Sequence, residues 1–167
     1  MLQKSIQRTA VFDPSGRYRY RLERYWHPMD ARLTLIMLNP SRADAKDDDP
    51  TLRRCIGLAQ RWGYGGLVVV NLFAYCTADP RALKQAQNPI GVDTDAYLLE
   101  AAAEATTIGL AWGNGGGFMG RDRIVCQLLS PYRAQWHCLG RTQTGHPRHP
   151  LYVPRSVTLI PWSPEVS

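Results

Sequence analysis

Four polar clusters in this sequence carry side chains able to do chemistry, and each follows an apolar run. Asn39-Pro40-Ser41 closes the run 33–38, and Asn71 closes Val68-Val69-Val70. Trp112-Gly113-Asn114 closes 107–111, and the segment from Gly145 through His146, Arg148 and His149 to Tyr152 lies beyond 135–139. A side-chain amide offers two donors and an acceptor, which matches the edge of a nucleobase or another amide-like ligand. An amide is no general base, so chemistry at Asn39 would rest on orienting a water. A histidine can shuttle a proton or stabilise a developing anion near neutral pH, and an arginine can hold a phosphate.

Each cluster also has a plainer reading. Asn39 with Pro40 can form an Asx-turn. Asn71 lies in or at the end of a buried strand, where an unpaired amide is costly, and this favours ligand contact or a site-shaping hydrogen bond. Gly113-Asn114-Gly115-Gly116-Gly117 is similar to a phosphate cradle of backbone N–H groups, yet it lacks the Lys-Ser/Thr of a P-loop. Phe118 also breaks any G-x-G-x-x-G, so a flexible loop is an equal reading. Asp44, Asp47, Asp48 and Asp49 could hold Mg²⁺, but capping of the following helix is favoured, with Arg53 and Arg54 near enough to neutralise them. The histidine segment could be a surface loop, and no Ser-His-Asp order is present. Cys55, Cys76, Cys126 and Cys138 are scattered with no C-x-x-C, so they read as buried thiols. No metal and no cofactor is expected.

The elements that must position these groups alternate. A β-hairpin is expected from 10–12 and 18–22 around the turn Asp13-Pro14-Ser15-Gly16. Residues 33–38 form a strand of the kind covered on both faces, and a helix runs from Pro50 to Trp62 with Asp49 as N-cap and Pro50 at N1. A strand over 67–73, a short helix over 79–85 and a helix over 93–105 follow. After them come a strand over 107–112, a helix over 121–129 and a strand over 135–139. Strand-helix alternation means a parallel sheet. A single domain over 1–167 is expected, with a hairpin extension at 1–30 and a core at 31–155. In open α/β sheets ligands bind outside the carboxyl ends of the strands, and all four polar clusters fall on that rim.

Bulk properties narrow the class. The chain has 167 residues and ordinary hydrophobic content, enough for one packed core. No apolar stretch approaches the ~20 residues of a membrane span. The start MLQKSIQRTAVF has no apolar h-region, so a cytoplasmic protein without membrane contact is expected. A net charge of +6, with all but three of the twenty basic residues arginine, favours bidentate phosphate contacts and a nucleic-acid or nucleotide partner.

Taken in order, the strand-end segments resemble the uracil-DNA glycosylase superfamily. Leu38-Asn39-Pro40-Ser41 looks like the Asn-Pro version of its first motif, and Val68-Val69-Val70-Asn71 like the strand whose Asn reads the base. Ala111-Trp112-Gly113 is similar to its Leu-Trp-Gly, and both His146-Pro147 and His149-Pro150-Leu151-Tyr152 look like its last motif. The whole chain also resembles a bacterial and phage family known as domain of unknown function number sixteen-forty-three, through LNPS-ADA-DDPT, NLFAY, WGN and GHPRHPLY. The glycosylase resemblance spans about 33–152. It implies a three-layer α/β/α sandwich with a central parallel sheet of about four strands, preceded here by the hairpin. It implies a nucleobase pocket and an N-glycosidase acting on a base in DNA, RNA or a nucleotide. Catalytic roles then fall to Asn39 and to His146 or His149. Ligand contacts fall to Ser41, Asn71, Phe73, Trp112, Asn114, Arg148 and Tyr152, with Phe73, Tyr64 and Tyr75 as stacking candidates. Asn39 stands where the most active members carry Asp, which implies slow or altered chemistry. Alternatives are a non-catalytic nucleotide or nucleic-acid module and, more remotely, a Mg²⁺-dependent phosphohydrolase.

Overall fold

A computed structural model describes residues 5–164 of the chain. The strands are β1 (Gln7–Phe12), β2 (Arg19–Tyr25), β3 (Arg32–Met37), β4 (Gly66–Asn71), β5 (Thr107–Leu110), β6 (Trp136–Cys138) and β7 (Ile160–Pro161). The α-helices are α1 (Pro50–Arg61), α2 (Pro80–Gln85), α3 (Thr94–Glu104) and α4 (Arg121–Leu128). One mixed sheet has the order β1-β2-β4-β3-β5-β6-β7. Its centre, β4-β3-β5-β6, is parallel, and β1, β2 and β7 join through antiparallel pairs.

The α/β class is as expected, but the sheet has seven strands rather than about four. The hairpin pairs directly with the core, Leu22 opposite Val69 and Tyr25 opposite Gly66, and so continues the sheet. β7 is two residues long and too short to show an alternation in sequence; the Trp162 N–H donating to Trp136 O helps hold it.

Apolar runs in β3 and β4 split by parity between two cores. Leu33, Leu35, Met37, Leu67 and Val69 pack against Leu52, Cys55, Ile56 and Ala59 of α1. Ile36, Val68 and Val70 face Leu98, Ala101 and Ala102 of α3 and Val125 of α4. Helices therefore cover both faces, which is why these strands read as continuous rather than alternating. The α1 helix starts where its cap predicts: Pro50 opens it, and the Leu52 N–H donates to Asp49 Oδ1 at 2.8 Å.

From β3 the chain crosses to β4 on one side, then returns past β3 to β5 on the other. That reversal leaves the loops beyond β3 and β5 diverging, and it opens a crevice at their carboxyl ends. Among the described residues, no helix is long and apolar enough to cross a membrane.

Candidate functional site

A cavity of about 720 Å³ occupies that crevice. Asn39 and Ser41 reach it from the loop after β3, and Asn71 from the end of β4. Trp112 and Asn114 follow β5, and Arg148, His149 and Tyr152 come from the long loop after β6. Of the ten residues singled out in sequence, the fold brings these eight to the lining of one cavity. Phe73 and His146 are not brought there. Phe73 is fully buried and packs on Phe118, ring centroids 5.4 Å apart, because the residue after Leu72 continues into the α3-side core. His146 lies away from the cavity, half-buried beside Gly117, with Nδ1 3.7 Å from Asp122 and its backbone N–H on the Thr142 hydroxyl.

Asn39 is fixed by its own amide. Nδ2 donates to the carbonyls of Pro40 (3.1 Å), Tyr75 (3.3 Å) and Thr77 (2.9 Å), which ties the end of β3 to the loop after β4. The donor side is fully used, so the carboxamide oxygen is the group available to a ligand or a water. The loop is thus tied through the amide donor, and not through the Oδ1 acceptance that an Asx-turn uses.

Asn71 is different. It is 4% exposed, on the same face as Val69, and its Oδ1 is buried without any hydrogen-bond partner. Trp112 is 2% exposed, and its indole Nε1 is likewise unpartnered. Buried polar atoms are nearly always paired, and these two belong to cavity-lining residues although neither atom is itself open to solvent, so a ligand would engage them only with a small shift of the side chain.

His149 has a fixed tautomer. Its Nδ1 accepts the Leu151 N–H at 3.2 Å, so the neutral ring carries its proton on Nε2. Burial pushes its pKa below the ordinary histidine value, with Asp49 opposing weakly. At neutral pH it is a neutral N–H donor. Cys55 also lines the cavity, but burial pushes its thiol up to about 12, which rules out a thiolate nucleophile at neutral pH.

The acidic run is consumed by structure. Asp49 accepts from the N–H groups of Leu52, Ala43 (3.3 Å) and Arg42 (3.4 Å). Asp44 Oδ1 accepts from the N–H of Lys46 and of Asp47, and Asp48 pairs with the fully buried Arg24 at 2.8 Å. Among the described residues, no three His, Cys, Asp or Glu side chains converge on a metal-sized point.

The glycine-rich segment forms 3₁₀ turns over Gly113–Gly120, broken at Phe118 and Met119. Its glycines serve close packing: a Cβ on Gly116 would lie 2.1 Å from Trp112 Cδ1, and one on Gly115 2.7 Å from Leu38. The Gly113 N–H is already spent on Pro147 O. The segment thus shapes the Trp112 wall.

Both charged lining residues other than Arg148 were unanticipated as site groups. Asp49 reads in sequence as a favoured helix cap, with Mg²⁺ binding by the acidic run as the alternative, and not as a wall of this cavity. Arg19 reads as one position of an alternating strand, and nothing local to it marks it as facing a cavity.

The fold and site define an α/β protein with an amide- and arginine-lined cavity at the carboxyl edge of its parallel strands. Residues 19–151 match the family described as "Protein of unknown function (DUF1643)", and the chain belongs to that family. No curated protein and no solved structure matches it.

Proposed function

We propose that the cavity recognises a nucleobase, and that the chain acts on it as an N-glycosidase resembling the uracil-DNA glycosylases. The observation that carries this reading is that Asn39, Asn71 and His149 line one cavity. The unpaired Asn71 amide suits the polar edge of a base, and a neutral His149 Nε2–H suits an oxygen or nitrogen of the leaving base.

In the proposed reaction the C1′–N bond breaks and its electron pair passes to the base. Nε2–H of His149 stabilises that developing anion by hydrogen bonding. A water held by Asn39 Oδ1 attacks C1′ and releases its proton to solvent. With no carboxylate at Asn39 the water is oriented rather than deprotonated, so a slow reaction is expected.

The test is base release from oligonucleotides and free nucleosides carrying uracil or modified bases. Release that persists in EDTA and disappears in Asn39→Ala and Asn71→Ala supports the reading. Tight binding with no release would identify a binding module, a second reading favoured by the three carbonyls that occupy the Asn39 amide. Release only with Mg²⁺ would overturn both.

A further inference from the structure

Arg19 is the buried cation that the nucleobase reading leaves unexplained. Four arginines are buried among the described residues: Arg19, Arg21, Arg24 and Arg121. Three of them have a carboxylate. Arg21 pairs with Glu23 and Glu104, Arg24 with Asp48, and Arg121 with Asp95. Arg19 makes no ion pair to any described residue, although it is 5% exposed. One terminal nitrogen donates to Ala43 O at 2.8 Å, and its Nε has no partner at all.

A break in the strand register explains why this arginine faces the cavity. Val11 pairs with Arg21 but Phe12 pairs with Arg19, so Tyr20 is an extra residue on β2. Tyr20 stacks on Tyr97 of α3, ring centroids 5.1 Å apart, and Arg21 reaches Glu100 and Glu104 of the same helix. Strict alternation would send Arg19 to that side as well, toward those carboxylates. The bulge turns it to the opposite face, where it lines the cavity with Asn71 and Trp112.

On that wall the fixed charges are Arg19, Arg148 and Asp49. Asp49 spends its oxygens on three backbone N–H groups and makes no contact ion pair with Arg19, although it and Asp44 act on the guanidinium at longer range. Arg148 sits at the exposed rim and uses only Nε, on Arg141 O at 3.2 Å. Burial pulls the Arg19 pKa down to about 10, which still leaves the guanidinium charged at neutral pH. A charged group taken out of water without a carboxylate in contact is unfavourable, and guanidinium forks suit phosphate oxygens.

We propose that Arg19, assisted by Arg148, binds the terminal phosphate of a free nucleotide, so that the cavity takes nucleoside monophosphates. This rests on the nucleobase reading of the same cavity and narrows it. A terminal phosphate can end at a buried guanidinium. An internal phosphodiester would have to enter and leave the interior on both sides.

Calorimetric titration of the full chain separates the two claims. Nucleosides, the matching nucleoside 5′-monophosphates, ribose 5-phosphate, and an oligonucleotide of the same bases are the probes. The monophosphate should bind at least about tenfold tighter than its nucleoside, the size of one charge-assisted hydrogen bond. In Arg19→Gln that ratio should fall to about one while nucleoside affinity holds. Ribose 5-phosphate binding that is lost in Arg19→Gln supports the phosphate site even if no base is recognised. If nucleosides bind but their monophosphates bind no tighter, the phosphate site is wrong and the base pocket stands. Tighter binding of the oligonucleotide, unchanged in Arg19→Gln, also overturns it. Should Arg19→Gln fail to fold, the wild-type ratio of monophosphate to nucleoside decides alone.

Discussion

Replacing Asn71 with leucine should stabilise this protein while disabling it. Asn71 is 4% exposed, and its Oδ1 is shielded from water and unpaired. Burying such an acceptor costs about 1–3 kcal/mol in proteins, and an apolar side chain of the same shape removes that cost. Leucine has a similar branched outline, and the nearby wall already contains Met37, Val69 and Cys55. After allowing for imperfect packing, a gain of roughly 1–2 kcal/mol is expected. For a chain of this size that is a rise in Tm of about 2–8 °C. The ligand would lose its amide partner, and its affinity should fall on the order of a hundredfold, since a site built around polar contacts discriminates strongly when they are removed. Urea denaturation and scanning calorimetry give the first quantity, and equilibrium titration with a nucleoside the second. A variant destabilised by more than about 1 kcal/mol would refute the reasoning, because it would mean that the Asn71 amide already makes favourable bonds in the free protein. A stabilised variant that binds as wild type does would refute the site.

Further perturbations probe the surrounding frame. Asp49→Ala removes the acceptor of three backbone N–H groups and should lower stability by about 1–2 kcal/mol in urea denaturation. Burial depresses the His149 pKa, so below pH 6.5 the unfolded chain takes up a proton that the folded chain refuses, and stability falls with falling pH. His149→Gln should flatten that decline between the ordinary histidine value and its lowered folded value, measured as denaturation midpoints at pH 5 and pH 7. Gly116→Ala places a Cβ 2.1 Å from Trp112 Cδ1 and should displace the indole, changing tryptophan emission and weakening ligand binding with about 1–3 kcal/mol of destabilisation. Thiol titration of the native protein at pH 8 should find Cys55 and Cys126 unreactive, since burial pushes both up to about 12, while the denatured chain reacts at all four.

Much of the fold was legible because local physics and tertiary structure agree. The capped start of α1, with Asp49 and Pro50, needs only its own first turn to be recognised. The apolar runs of β3 and β4 announce strands covered on both faces, and helices do cover both faces. The site was partly legible for a topological reason: parallel strands direct their carboxyl ends to one edge, so polar residues ending those runs must converge there. What local pattern could not decide is direction at a single residue. His146 and His149 share one loop and one motif shape, yet only His149 lines the cavity, with its ring held by the Leu151 N–H. Phe73 follows Asn71 by two residues and enters the core instead of the cavity.

By itself the sequence determined the α/β class, the central strands with the helix boundaries, and the rim on which chemistry could be assembled. These rest on periodicity, capping and turn residues, which act over a few positions along the chain. Only the tertiary structure decided the seven-stranded sheet, the placing of His146 away from the cavity and the presence of Arg19 in it. Each depends on a contact between distant segments: β2 against β4, His146 beside Asp122, and one unpaired residue in the β1–β2 register. In an extended strand a shift of one residue reverses the face of every side chain beyond it, and no alternation of Tyr and Arg in sequence records where that shift falls.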